Sequence, residues 1–111
     1  MTIDEMRVEV FIHDFCQYSD NPEELEKNIR TIGVKCIPEF EGYFMFGNGQ
    51  VWSTKSNKWL TLSYDGGLYF YHFSKYGIQS SREIRRLYKK VFGRDMNEGM
   101  EKSIQERQIQ S

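Results

Sequence analysis

Ile37-Pro38-Glu39-Phe40-Glu41-Gly42-Tyr43-Phe44-Met45-Phe46-Gly47-Asn48-Gly49-Gln50-Val51-Trp52-Ser53 decides how this chain folds. Aromatic and β-branched residues crowd both sides of Gly47-Asn48-Gly49, and glycine and asparagine are the residues that suit a tight reversal between strands. The stretch reads as a β-hairpin. Working outward, strands are predicted over residues 42–46, 50–53, 58–62 and 68–73, with turns at 47–49, 54–57, 64–67 and 75–77 and a second paired segment across 63–67. Short turns imply antiparallel neighbours. Beyond them Ile84, Leu87, Tyr88 and Val91 recur at i, i+3, i+4 and i+7, which predicts a helix over 81–92 with Ser81 as its cap and Gly93 as its stop. Arg82, Arg85, Arg86, Lys89 and Lys90 then fan over the side of that helix away from the core.

Before the hairpin, Asn21 caps a helix that starts at Pro22, where a missing N–H costs nothing, with Glu24 in the capping-box position. Leu25, Ile29 and Ile32 form its apolar stripe, Glu26 and Arg30 an i,i+4 pair, and Gly33 its end. Residues 2–18 place Ile3, Met6, Val10, Phe11, Phe15 and Tyr18 at helical spacing, with Thr2 and Glu5 as a second capping box. A strand through residues 7–12 competes with that helix because β-branched residues are dense there. After Asp95 the tail is polar, and Met100 and Ile104 form only a weak stripe, compatible with a frayed helix or with disorder.

The 111 residues suffice for one domain with one core. The class is α+β: a small antiparallel sheet of about four strands packed by a basic C-terminal helix and preceded by one or two helices. Its parts are an acidic helical segment (1–35), a ββ…α unit (36–94) and a tail (95–111). No apolar run approaches the ~20 residues of a membrane helix, and residues 2–7 are acidic where a secretory signal is basic, so a cytoplasmic protein is expected. Cys16 and Cys36 lack a C-x-x-C spacing, which points to reduced thiols. The net charge of −1 conceals a polarity: residues 1–50 hold ten acids and four bases, residues 51–94 nine bases and two acids. A basic half of this kind is the electrostatic footprint of a nucleic-acid binder.

Between Cys36 and Gly93 the chain resembles the modular DNA-binding motif of HNH and GIY-YIG homing endonucleases, the NUMOD type-four motif. The resemblance is carried in order by Ile37-Pro38-x-Phe40-Glu41-Gly42-Tyr43, Asn48-Gly49-x-Val51-x-Ser53, Lys58-Trp59-Leu60, and Ile84-x-Arg86-Leu87 with Phe92. Arg85 stands where the family usually has histidine. The resemblance implies duplex-DNA binding by a protein of phage or mobile-element origin, in which a small sheet contacts DNA and a separate nuclease module cuts it.

No nuclease module is expected here. An HNH site needs a histidine base and a further metal ligand beyond the helix, and no histidine follows Phe92. His13 and His72 are isolated, His13-Asp14-Phe15-Cys16 offers too few ligands for a metal, and no nucleophile–base pair stands out, so neither catalysis nor a cofactor is expected. Gly47-x-Gly49 lies between strands, without a helix N-terminus to receive an anion, and reads as a turn. The expected interface has two parts: Gln50, Trp52, Thr54, Lys55 and Lys58 of the hairpin region toward a DNA groove, and Arg82, Arg85, Arg86, Lys89 and Lys90 on phosphates. Tyr69, Phe70, Tyr71 and Phe73 are mostly core by alternation, with Tyr69, Tyr71 and Trp52 as candidates for outward positions. A reading of another class is a small phage-type inhibitor. Its acidic N-terminal half and apolar helix stripes would dock on a host or defence protein and block a nucleic-acid-binding surface. A homodimer joined through the N-terminal helices is a third arrangement.

Overall fold

The computed structural model describes residues 1–110, with side chains through residue 108. Along the chain run α1 (Ile3–Cys16), α2 (Pro22–Ile32), β1 (Val34–Cys36), β2 (Tyr43–Phe46), β3 (Val51–Ser53), β4 (Lys58–Trp59), β5 (Ser63–Asp65), β6 (Leu68–Lys75), β7 (Ile78–Glu83), α3 (Ile84–Phe92) and α4 (Met100–Gln110). The fold is α+β. β1-β2-β3-β4 form one antiparallel sheet and β5-β6-β7 a second.

The hairpin forms where the sequence places it, with Tyr43 opposite Ser53 and Met45 opposite Val51. All four residues of β2 are buried. Because strand side chains alternate between faces, this strand is covered on both sides. Tyr43, Met45 and Val51 enter a core shared with Tyr71 and Phe73 of β6, Ile84, Leu87, Tyr88 and Val91 of α3, and Met96 and Ile104. Phe44 and Phe46 enter a second core with Phe11, Ile12 and Cys16 of α1, Ile29 of α2 and Val34 of β1. The hairpin is therefore the middle layer of the molecule. Ring packing fixes both sides: Phe40 stacks on Phe73 at 4.6 Å, and Phe11 on Phe44 at 4.2 Å.

Two tyrosines pin the turn itself. The Tyr71 hydroxyl donates to the Gly49 carbonyl at 2.9 Å and the Tyr88 hydroxyl to the Gly47 carbonyl at 2.7 Å, which satisfies both buried acceptors. Gly47 packs so closely on the end of α2 that a Cβ there would lie 1.9 Å from the Ile32 carbonyl oxygen. Gly49 has φ +91°, a left-handed conformation that glycine adopts without strain.

Local signals set the first two helices. Thr2 accepts from the Glu5 N–H at 3.1 Å and Asn21 from the Glu24 N–H at 3.3 Å. Arg30 ties the pair together, with its guanidinium on both oxygens of Glu9 at 3.0 and 2.7 Å and 3.6 Å from Glu26. Residues 7–12 are helical, so the strand alternative fails: Phe11, Ile12 and Cys16 find cover only on a helix face. That face differs from the expected stripe, since Ile3, Met6, Val10 and Tyr18 stay exposed.

Three further expectations are corrected. β1 crosses the boundary drawn after residue 35, pairs with β2 and joins the first part of the chain to the sheet. Ser81 and Arg82 belong to β7, opposite His72 and Tyr71. α3 starts at Ile84, and Glu83 caps it by accepting from the Arg86 N–H at 2.8 Å. Of the two readings of the tail the helix is the one that forms: it folds back as α4, with Ile104 and Met96 buried against the hairpin turn, and the Gln108 amide donates to the Leu60 carbonyl at 2.8 Å and accepts from the Leu62 N–H at 2.9 Å. Among the described residues no helix is long and apolar enough to cross a membrane.

Candidate nucleic-acid interface

The hairpin residues expected to face DNA separate once the layers are in place. Gln50 is half-buried and bonded to Asn48 within the turn. Trp52 packs edge-on against Phe15 at 4.9 Å and Trp59 at 5.1 Å, so its ring belongs to the second core. Tyr71, a candidate for an outward position, is fully buried, and burial raises its hydroxyl pKa. Thr54, Lys55 and Lys58 remain exposed, and Thr54 donates its hydroxyl to the Gly42 carbonyl at 2.7 Å. A strand covered on both faces has no side free to enter a groove, so what this region offers a ligand is its rim.

One end of that rim gathers positive charge from four elements of the chain. Lys55, in the turn after β3, donates to the Ser74 carbonyl at 2.9 Å, and Lys75, the next residue along β6, donates to the Glu39 carbonyl at 3.3 Å. Arg82 of β7 places Nε and Nη2 on Glu39 Oε2 at 3.2 and 2.8 Å, with its guanidinium 5.1 Å above the Phe40 ring. Lys90 of α3 donates to Glu39 Oε1. Two cations thus share one carboxylate, while Lys55 and Lys75 rest on backbone carbonyls with no carboxylate within salt-bridge distance among the described residues. The hydrogen bond from Lys90, and after it that from Arg82, holds the Glu39 carboxyl at about 2. Beside them opens a shallow cleft of about 360 Å³ lined by Glu39 and Phe40, by Lys75, Tyr76 and Ile78 around the β6–β7 turn, and by Ser80 and Arg82. Tyr76, at the tip of the β6–β7 turn, is 93 % exposed.

α3 extends this cluster on one face and is neutralised on the other. Arg86 is exposed one turn before Lys90 and so shares its face, and no carboxylate among the described residues lies within salt-bridge distance of it. Arg85 instead pairs with Glu101 of α4 at 2.8 Å and reaches the Met96 carbonyl, and Lys89 lies 3.4 Å from Asp95. The five bases expected to fan over one open face therefore divide. Arg82, Arg86 and Lys90 belong to the cluster, Lys89 lies near an acid, and Arg85 is an internal clasp between α3 and α4. Lys75 and Tyr76 were not among the residues expected at a site; a lysine-tyrosine-glycine turn with an exposed ring was the only local signal for them.

His72 lies on the exposed face of the second sheet between Ser81 Oγ at 2.8 Å and Ser63 Oγ at 3.2 Å, a bridge across β5, β6 and β7. Among the described residues no group of three or more His, Cys, Asp or Glu side chains is placed to hold a metal ion. Cys16 and Cys36 are free thiols, both shifted upward by burial. Comparisons of the chain with protein-family models, with curated proteins and with solved structures find no match. The resemblance to the homing-endonuclease motif rests on its quoted residues alone.

Proposed function

We propose that this protein binds double-stranded DNA without cutting it, through the basic cluster around Glu39 and the adjoining face of α3. The observation that carries the reading is the convergence of Lys55, Lys75, Arg82 and Lys90, from a turn, two strands and a helix, on one carboxylate and two neighbouring backbone carbonyls. Arg86 prolongs the cluster along the helix. Such a concentration of cations on a rigid frame suits the closely spaced phosphates of a duplex, and each phosphate neutralised releases condensed counterions. Tyr76, at the tip of the turn that bears Lys75, adds an aromatic ring for sugar or base contact.

The test is a fluorescence-anisotropy titration of the protein with a labelled duplex over a series of salt concentrations. Five phosphate contacts, one for each of Lys55, Lys75, Arg82, Arg86 and Lys90, give a log–log slope of about −4.5. Absence of duplex binding at about 20 mM salt, where such contacts are strongest, rejects the reading.

A further inference from the structure

Ile3, Met6 and Val10 keep 69, 53 and 62 % of their surface exposed, whereas the apolar stripe of a helix in a globular protein normally faces the core. The three follow one another along a single face of α1 and form one wall of an open groove of about 1230 Å³. Phe11, Phe44 and Trp52 make its floor, and the segments around Glu41 and Thr54 its far wall. The volume exceeds the ~300–1,000 Å³ of ordinary small-ligand pockets. The fourteen residues of α1 give the groove a length of about 21 Å, enough for about four turns of a second helix.

Charge narrows the occupant. Asp14 and Glu41 line the groove, with Asp4 adjoining it beside Arg7 and Lys55 adjoining it at Gly42. Among the described lining residues Arg7 is the one Lys or Arg, and it lies 3.8 Å from Asp4 and 3.6 Å from Glu41. Among the lining residues, two carboxylates against one guanidinium leave the rim acidic by one charge around an apolar floor. A second copy docking groove to groove would bring these carboxylates against one another. The chain's own basic helix, α3, has its apolar residues buried in the first core.

We propose that the groove beside α1 is a docking site for a basic amphipathic helix of a partner protein. Its apolar anchors at i, i+3, i+4 and i+7 would lie on Met6, Val10 and Phe44, and its lysines or arginines against Asp14 and Glu41. The site lies on the α1 side of the first sheet and borders the Glu39 cluster at Gly42, against which Lys55 packs, and the proposal does not rest on DNA binding.

The probe is a labelled synthetic helix of about 14 residues, long enough to run the length of α1, with leucines at those four spacings and lysines elsewhere. A control peptide keeps the leucines and replaces lysine by glutamate. With the full chain, the leucine–lysine peptide binds one to one and at least about tenfold tighter than the control, a difference of about 1.4 kcal/mol. Val10→Asp weakens it by about tenfold or more, and Asp14→Lys with Glu41→Lys reverses the preference between the peptides, while circular dichroism stays that of the parent. Equal binding of the two peptides, or a preference that survives the charge reversal, overturns the proposal. So does a concentration-dependent dimer in light scattering that Val10→Asp abolishes, since the groove would then belong to a second copy. Duplex-DNA titrations of Val10→Asp stay at the parent value, and a loss there would assign the groove to DNA.

Discussion

Ile104→Ala tests whether the last helix is part of the core. Ile104 is fully buried in the first core, and its Cδ1 lies 3.0 Å from where a Cβ on Gly49 would stand. The substitution removes three carbons from a closed site. At about 0.8 kcal/mol per buried carbon the transfer contribution is about 2.4 kcal/mol, and the cavity left between α4 and the turn raises the loss to about 3 kcal/mol. For a domain of this size that lowers Tm by about 10–20 °C. Urea titration followed by tryptophan fluorescence is a demanding assay, because Trp52 and Trp59 lie on the second core. A shift there shows that both cores unfold together. Ile78→Ala, at a residue 68 % exposed, serves as control and stays within about 0.5 kcal/mol. A loss below about 0.5 kcal/mol for Ile104→Ala would refute the docking of α4.

Gly47→Ala is expected to cost about 3 kcal/mol or more, measured by the same titration, because its Cβ meets backbone atoms of Ile32 and no side chain can swing aside. Arg85→Ala should destabilise by about 1–2 kcal/mol, since it strips the partner from Glu101, whose side chain is only 13 % exposed and whose second oxygen already lacks a hydrogen bond among the described residues. Glu39→Gln bears on pH. The folded-state carboxyl sits at about 2, below its ordinary 4.5, so its stabilisation is present above about pH 4.5 and lost as the pH falls toward 2. The parent should therefore exceed the variant in stability at pH 6, by no more than about 1 kcal/mol for so exposed a cluster, and the difference should close by pH 2. The same variant removes the carboxylate shared by Arg82 and Lys90 and should bind duplex DNA more tightly at pH 7.

Where structure follows from neighbours in sequence, it could be read in advance. Asn21-Pro22, Glu24 and Gly33 delimit α2, and Gly47-Asn48-Gly49 turns the hairpin, because capping and reversal act within a few residues. β7 was hidden because its sequence, Ile-Gln-Ser-Ser-Arg-Glu, puts Ser80 and Arg82 on the same alternating positions as Ile78 and so breaks the apolar alternation. Ser81 also resembles a helix cap more than Glu83, which performs that task. α4 carries too few apolar residues to announce itself. Its placement depends on Gly49 leaving room for Met96 and Ile104, and on Gln108 bonding to residues 60 and 62, partners more than forty positions away. The basic face was visible as a count of lysines and arginines. Its division was not, because the acids that neutralise part of it, Glu39, Asp95 and Glu101, lie outside the helix.

Whether duplex DNA is held by the cations around Glu39 and α3 is tested most directly by the triple variant Lys55→Ala, Lys75→Ala, Arg86→Ala. None of the three residues has a carboxylate within salt-bridge distance among the described residues, so the fold should hold to within about 0.5 kcal/mol for each. Anisotropy titrations of parent and variant over the same salt series should show a log–log slope shallower by about 2.7, or about 0.9 for each phosphate no longer neutralised. An unchanged slope in a variant that still melts with the parent would contradict the assignment of DNA to this cluster.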